Sequence, residues 1–136
     1  MAIEKEVFGF GHAWESEYGY AQAVRADGTL YIAGQVGHDE RGSFEGIETT
    51  HQQMEAAYAN TARILTRFGA GMEDLVDEII FATDMDEAFS ARKALGSRVF
   101  GSHSMAIAST IVQVQRLAFP NLKVEIRSVA RLGRAG

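Results

Sequence analysis

Apolar and polar residues alternate in two short runs near the N-terminus, on either side of Asp27-Gly28. The segment reads "YAQAVRADGTLYIAGQV", and alternation of this kind is typical of a half-buried β-strand. The dipeptide Asp-Gly readily supplies the positive φ angles of a two-residue hairpin turn. The pattern therefore predicts a β-hairpin with strands at residues 21–26 and 29–33.

Two longer segments carry apolar residues at the three-to-four-residue spacing of an amphipathic helix. In "TTHQQMEAAYANTARILTRFGAG" the apolar stripe consists of Met54, Tyr58, Ala62, Leu65 and Phe68. Thr50 is the predicted N-cap of this helix, and Gly69 is predicted to end it at the C′ position, directly after the C-cap. The segment "DEAFSARKALGSRVFG" repeats the pattern with Phe89, Leu95, Val99 and Phe100. A β-branched run at residues 76–83 lies between the two helices and predicts a strand.

The C-terminal part of the chain contains two alternating runs, at residues 108–117 and 122–132. They are separated by "AFPN", which holds the only proline and interrupts the strand ladder. The element order is therefore β-β-α-β-α-β-β. Because strand-helix-strand crossovers are right-handed, both helices lie on one face of a mixed sheet. The sequence predicts a single α+β domain spanning residues 1–136, folded as a two-layer sandwich.

Alternation also assigns each strand residue to one face of the sheet. In the last strand we expect the helix-facing residues to be Leu122, Val124, Ile126, Ser128, Ala130 and Leu132. In the preceding strand we expect Thr110, Val112 and Val114 to face the helices. The residues expected on its uncovered face are Ser109, Ile111, Gln113 and Gln115. A face that mixes apolar side chains with polar and charged ones suits contact with another subunit; an ordinary solvated face is the alternative.

Composition limits the classes of partner. The chain has 136 residues, of which 46% are hydrophobic, enough for a buried core. With 18 acidic against 13 basic residues the net charge is -5, so nucleic acid is an unlikely partner. The sequence has neither the features of a signal peptide nor an apolar run of about 18 residues. We therefore expect no membrane association and a cytoplasmic location.

No residue pattern indicates a metal or another cofactor. The chain has no cysteine and therefore no thiolate ligand or cysteine nucleophile. The four histidines, which are scattered without metal-ligand spacing, are His12, His38, His51 and His103. The acids of "TDMDE" are better explained as complements to the dipole at the start of a helix.

Two features favour a binding site of another kind. The segment "FGFGHAWESEYGYAQAV" is rich in aromatic residues, some of which fill the core while others wall an apolar pocket. Glu125 is an acid between Val124 and Ile126 in a strand, so partial burial would raise the pKa of its carboxyl. The alternative is an ion pair of Glu125 with Arg127 or Arg116.

Several motifs in order along nearly the whole chain resemble the Rid (YjgF-type) family of enamine and imine deaminases. They are "GYAQAVRADGTLYIAGQVG", "ANTARILTRFGAGMEDLVDEIIFATDMDEAF", "STIVQV" and "LKVEIRSVA". The resemblance implies a chorismate-mutase-like fold and a homotrimer whose sheets form a central barrel. It also implies that a small-molecule ligand binds in pockets at the subunit interfaces.

The resemblance assigns roles to particular residues. Tyr20 matches the tyrosine of the family segment G-x-Y-S-Q-A, and Ala33-Gly34 match the family's Ser-Gly pair beside the ligand. Glu125 matches the acid that positions the attacking water and is the candidate catalytic residue.

Three positions depart from the family pattern. Ser109 stands where the deaminases carry an arginine that clamps the substrate carboxylate, and Ile111 stands where they carry cysteine or threonine. Arg92 lies near the position of their pocket asparagine and is the candidate replacement for the missing arginine. The alternative for Arg92 is a surface ion pair with Glu87 or Asp86.

Without the arginine, a serine cannot form the charge-assisted pair that holds a carboxylate. The leading hypothesis is therefore a metabolite-binding protein that hydrolyses an imine or enamine lacking that contact. A non-catalytic ligand-binding or protein-interaction trimer is the alternative. An endoribonuclease is less favoured, because the sequence shows neither paired histidines nor a basic groove.

Overall fold

Residues 2–133, which the computed structural model describes, form three α-helices and one six-stranded sheet. The strands are β1 (Glu6–Phe8), β2 (Ala23–Ala26), β3 (Thr29–Gln35), β4 (Leu75–Ala82), β5 (Ala108–Gln113) and β6 (Val124–Arg131). The helices are α1 (Ala13–Tyr18), α2 (Thr50–Arg67) and α3 (Met85–Phe100). Short 3-10 turns follow α2 and α3, at Met72–Asp74 and Gly101–His103.

The strand order across the sheet is β1-β2-β3-β6-β4-β5. Strands β4 and β5 are parallel and are joined through α3, whereas the other neighbouring pairs are antiparallel. The predicted α+β class and the order β-β-α-β-α-β-β are confirmed from β2 to β6. The sequence pattern missed β1 and α1, because elements of three and six residues are too short to show a period.

The local signals for turns and helix ends largely hold. Asp27 adopts a φ of 52°, the left-handed conformation that the hairpin turn between β2 and β3 requires. Helix α2 is capped by Thr49 rather than Thr50, through a capping box with Gln52. Gly69 has a φ of 71° and ends the helix as predicted.

Both long helices pack on one face of the sheet and bury it. Of the helix-facing residues of β6, Val124, Ile126 and Ala130 are fully buried, as the alternation predicts. Other core side chains come from β3, β4 and the two helices: Leu30, Ile32, Ile80, Met54, Ile64, Leu65 and Leu95. No helix among the described residues is long and apolar enough to cross a membrane.

The predicted facing of β5 is wrong. Ser109 pairs with Glu78 in the parallel β4–β5 ladder, and its hydroxyl donates to the Glu78 carboxylate on the helix side of the sheet. Ile111 packs against the core, whereas Thr110 and Val112 lie on the uncovered face. The pattern misleads here because β5 is a largely exposed edge strand in which Ile111 and Val112 are adjacent. Each of the two alternating sets of β5 residues therefore contains an apolar side chain, and the pattern does not distinguish the two faces.

Candidate functional site

A cavity of about 680 Å³ opens beside the bend of β3. Its lining residues come from α1 and the connection after it, from β3 and the residue that follows it, from the loop before β6 and from β6 itself. They are Trp14, Glu17, Tyr18, Tyr20, Ala33, Gly34, Val36, Ala118, Phe119, Leu122 and Glu125. Concave sites of this volume with mostly apolar walls and a few polar groups typically bind small molecules.

The floor of the cavity depends on an irregularity between β3 and β6. The register shifts between Ile32 and Gln35, so β3 carries one extra residue opposite β6, a β-bulge. Gly34 lies in this bulge. A Cβ at Gly34 would lie 2.6 Å from Cδ and 2.8 Å from Cγ of Glu125. Glycine is needed here because the Glu125 side chain lies directly over the backbone.

Glu125 is a partly buried acid. Burial raises the pKa of the Glu125 carboxyl above its ordinary value, as the sequence predicts. The alternative ion pairs are not formed: in the described part of the chain, neither Arg127 nor Arg116 lies within ion-pair distance of Glu125. The Arg116 guanidinium instead donates to the carbonyl oxygens of Leu117 and Ala118.

Tyr20 is held by a chain of side-chain hydrogen bonds. Gln22, which is buried, donates from Nε2 to Glu15 Oε2 at 2.9 Å and to the Tyr20 hydroxyl oxygen at 3.2 Å. Since a carboxylate only accepts, the contact with Glu15 fixes which end of the Gln22 amide faces Tyr20. Gln35 Nε2 donates to Gln22 Oε1 at 2.7 Å and secures the amide from the other side.

These contacts set the role of the Tyr20 hydroxyl. Burial, the largest influence, raises the pKa of Tyr20; hydrogen bonds from Trp14 and Gln22 oppose it, and the negative charges of Glu15 and Glu125 add to it. The hydroxyl therefore keeps its proton at neutral pH. Because Gln22 already donates to the oxygen, the Tyr20 proton is available to donate to a molecule in the cavity.

Aromatic side chains form the walls. Trp14 and Tyr18 come from α1, and Phe119 comes from the loop between β5 and β6. Phe44 connects the two sides, with its ring centroid 6.4 Å from that of Trp14 and 6.1 Å from that of Phe119. Tyr18 is 86% exposed and forms part of the rim.

Arg92 and Ser109 meet elsewhere, on the helix side of the sheet. Both contact Glu78, which is fully buried. Arg92 Nε and Nη2 each lie 2.9 Å from Glu78 Oε2, and Ser109 Oγ donates to the same oxygen at 2.7 Å. The Tyr58 hydroxyl donates to Oε1 at 2.8 Å. Arg92 is thus paired with Glu78 and not, as the alternative proposed, with Glu87 or Asp86.

The structure therefore divides the seven predicted site residues into two groups. Within one chain, the residues that line the cavity are Tyr20, Ala33, Gly34 and Glu125. The residues that lie outside it are Arg92, Ser109 and Ile111. Arg92 is not placed to take a ligand's carboxylate in this cavity, because its guanidinium is already bound to a buried carboxylate.

Other parts of the chain offer less. A groove of about 570 Å³ runs between the starts of α2 and α3, and it contains none of the predicted residues. Within residues 2–133, no group of three or more acids and histidines is arranged to hold a metal ion. In "TDMDE", Asp84 caps α3 by accepting from the Glu87 N–H at 2.9 Å, the structural role that its position indicates.

The sequence did not point to all of the cavity lining. Glu17, Val36, Ala118 and Phe119 were not singled out, and Leu122 was expected only as a helix-facing residue of the last strand, whereas it lies in the loop before β6. Phe119 had one weak signal, since it is an aromatic residue directly before the only proline, but sequence alone does not indicate where that loop folds back.

Comparison with known proteins identifies the family. The family described as Endoribonuclease L-PSP matches residues 10–132, which is most of the chain. This chain belongs to that family, the YjgF or Rid family. RutC family protein slr0709 from Synechocystis is 32% identical over 114 residues, which are 83% of this chain and 85% of that protein.

Solved structures of Rid-family proteins share the fold. Rv2704 from Mycobacterium tuberculosis superposes with a TM-score of 0.81 at 25% identity, covering 95% of this chain and all of that one (100%). RidA from Psychrobacter gives a TM-score of 0.74 at 28% identity, with 84% and 89% covered. The fold is the chorismate-mutase-like one of the Rid family. Membership supports a small-molecule-binding or deaminase function.

The Glu78 network predicts a structural role for Arg92. Arg92→Ala leaves a buried carboxylate without its cation, so we expect unfolding free energy to fall by about 3 kcal/mol or more. Arg98→Ala is the matched control on the same helix, because it removes an exposed ion pair with Glu55 and should cost less than about 1 kcal/mol. Urea denaturation measures both. Equal losses would show that the Glu78 pair is no stronger than a surface one.

Burial of Glu125 predicts a pH-dependent stability. Below the ordinary pKa the acid is protonated in both folded and unfolded states, so Glu125→Gln should change little. As pH rises from the ordinary pKa to the raised folded pKa, the unfolded chain has released its proton while the folded chain still holds it, so the parent loses stability relative to the variant. The advantage of Glu125→Gln should grow with pH and then level off. Thermal unfolding of both proteins across this range measures it; an advantage that shrinks as pH rises would contradict the burial effect.

Proposed function

We propose that this protein is a Rid-type hydrolase that converts an imine, or an enamine through its imine tautomer, into a carbonyl compound and ammonia. The deaminases that the chain resembles act on enamines whose carboxylate is held by an arginine. The substrate proposed here carries no carboxylate and needs no such arginine. The convergence of Glu125 and Tyr20 on one largely apolar cavity is the observation that supports this proposal most.

The two polar groups suit the two proton-dependent steps. Glu125 accepts a proton from water as the water oxygen bonds to the carbon of the protonated imine and the C=N π electron pair moves to nitrogen, which gives a neutral carbinolamine. Glu125 then returns that proton to the amine nitrogen, and ammonia leaves with the C–N electron pair while the carbinolamine hydroxyl gives its proton to Glu125 and C=O forms. The released ammonia takes this last proton from Glu125 and departs as ammonium, so that the carboxylate is restored. A raised pKa brings a carboxyl closer to the pH at which it both accepts and returns protons. Tyr20 donates a hydrogen bond to the reacting group.

The charges around the cavity favour this substrate range. Arg92 is neutralised by Glu78, and the resemblance to the family places Ser109, which carries no charge, at the position of the deaminases' arginine. Carboxylate recognition usually relies on such a guanidinium. The same lining, with two acids, gives no support for binding an RNA backbone.

Turnover of an imine without a carboxylate tests the proposal. An amine oxidase acting on phenethylamine supplies such an imine. Semicarbazide traps the imine that is not yet hydrolysed, so a faster hydrolysis lowers the amount of semicarbazone formed. We expect the parent to accelerate hydrolysis and Glu125→Gln to lose about a hundredfold or more of that rate. Gly34→Ala should also lose activity, because the added Cβ displaces the carboxyl. Glu73→Gln, in the 3-10 turn before β4, is the control for removal of one charge.

The outcomes separate enzyme from binding protein. Acceleration by the parent and by Glu73→Gln, lost in both cavity variants, supports hydrolysis. A parent no faster than the uncatalysed reaction contradicts it and favours the non-catalytic ligand-binding trimer instead.

We also propose that the protein is a homotrimer with its cavities at the subunit interfaces. The sheet face opposite the helices supports this, because it exposes apolar side chains: Tyr31 is 44% and Val112 36% exposed, beside the half-buried Ile79 and Phe81. Arg127 on the same face adds a polar group, and a mixed surface of this kind suits a subunit contact.

Light scattering at micromolar concentration measures the assembly. We expect three times the chain mass of 14.8 kDa, and a lower mass for Val112→Asp, which places a charge at the contact. A monomer mass for the parent would contradict the trimer.

A further inference from the structure

The charged side chains that line the cavity are both acidic. They are Glu17 and Glu125, and among the lining residues that fall within 2–133 there is no lysine, arginine or histidine. Glu125 lies over Gly34, whereas Glu17 is an exposed residue of α1 in the same lining. A molecule in the cavity therefore meets negative charge from two acids on different elements.

The nearby arginines do not offset this charge. Arg116 directs its guanidinium to main-chain carbonyl oxygens, and Arg92 is bound to Glu78 on the opposite side of the sheet. Arg127 shares a face of β6 with Glu125 but lies outside the cavity lining. An anionic ligand would find no cation among the described residues that one chain contributes to the lining.

The walls add a second preference for positive charge. Four of the lining side chains are aromatic: Trp14, Tyr18, Tyr20 and Phe119. The faces of such rings attract cations, tryptophan most strongly. Sites that combine aromatic walls with carboxylates are suited to organic ammonium groups, which are too apolar for a purely polar site and too charged for a purely apolar one.

We infer that the cavity binds an organic cation, a primary amine or protonated imine attached to an apolar body. The cationic nitrogen lies near Glu125 and the aromatic rings, and the body packs against Ala33, Val36 and Leu122. This inference rests on the proposed function in naming the substrate class of the same cavity. Binding and turnover are nevertheless separate, because an amine that binds is not hydrolysed.

Trp14 provides the measurement. It is the only tryptophan of the chain and lines the cavity, so its fluorescence reports occupancy of this site directly. Three probes share the phenethyl group and differ in the charge of the polar group attached to it: phenethylammonium, phenethyl alcohol and hydrocinnamate. Titration of the full-length parent at neutral pH should give a dissociation constant for phenethylammonium at least about tenfold lower than for the alcohol. Hydrocinnamate should bind most weakly.

Variants test which charges are responsible. Glu125→Gln preserves the shape of the side chain and should weaken phenethylammonium about tenfold while leaving the alcohol unchanged. Glu17→Gln should have a smaller effect, because this residue is exposed to solvent. Glu73→Gln is the control. Glu73 precedes the first residue of β4, whereas Phe81, which pairs with Glu125, is near the last residue of that strand. The Glu73→Gln variant should bind all three probes as the parent does.

The outcomes decide the inference independently of turnover. Selective binding of the cation that depends on Glu125 supports it, whether or not imines are hydrolysed. Equal affinity for cation and alcohol, tightest binding of hydrocinnamate, or an undiminished preference for the cation in Glu125→Gln would each overturn it. Imine hydrolysis without cation preference would leave the proposed function standing and remove only this substrate class.

Discussion

The register between β3 and β6 is the constraint on which the cavity depends. One extra residue in β3 at the Ala33-Gly34 bulge turns the strand away from β6 and leaves the Glu125 side chain lying over bare backbone. Because β6 alternates strictly between buried and outward residues, Glu125 faces outward while Val124 and Ile126 stay in the core. A one-residue slip would bury the acid among the helices.

The opposite face of the same sheet holds a second acid under different conditions. Glu78 is fully buried, yet Arg92, Tyr58 and Ser109 supply donors to both of its oxygens. Glu125 is partly buried, and no cationic side chain in the described part of the chain lies within ion-pair distance of its carboxyl. The same residue type is thus a satisfied structural group on one face and a candidate proton acceptor on the other, and the difference is set by neighbours rather than by depth alone.

Much of this arrangement could be predicted from the sequence, and the misses have physical causes. The period of α2, the Asp27-Gly28 turn and the alternation of β6 are local signals, so these elements were found. Ser109 was placed on the wrong face because an edge strand is exposed on both sides and carries no clear alternation. The pairing of Arg92 with Glu78 joins residues 14 positions apart through a crossover, and Phe119 reaches the cavity only through loop folding; neither has a local signature.

The cavity is proposed to act on imines that carry no carboxylate. The most direct test compares kcat/KM for two imines with the same phenethyl skeleton. One is formed from phenethylamine, and the other is formed from phenylalanine and bears a carboxylate. The described part of one chain lines the cavity with two acids and no cation, which predicts a ratio of about ten or more in favour of the imine without the carboxylate. A preference for the phenylalanine imine would contradict the account.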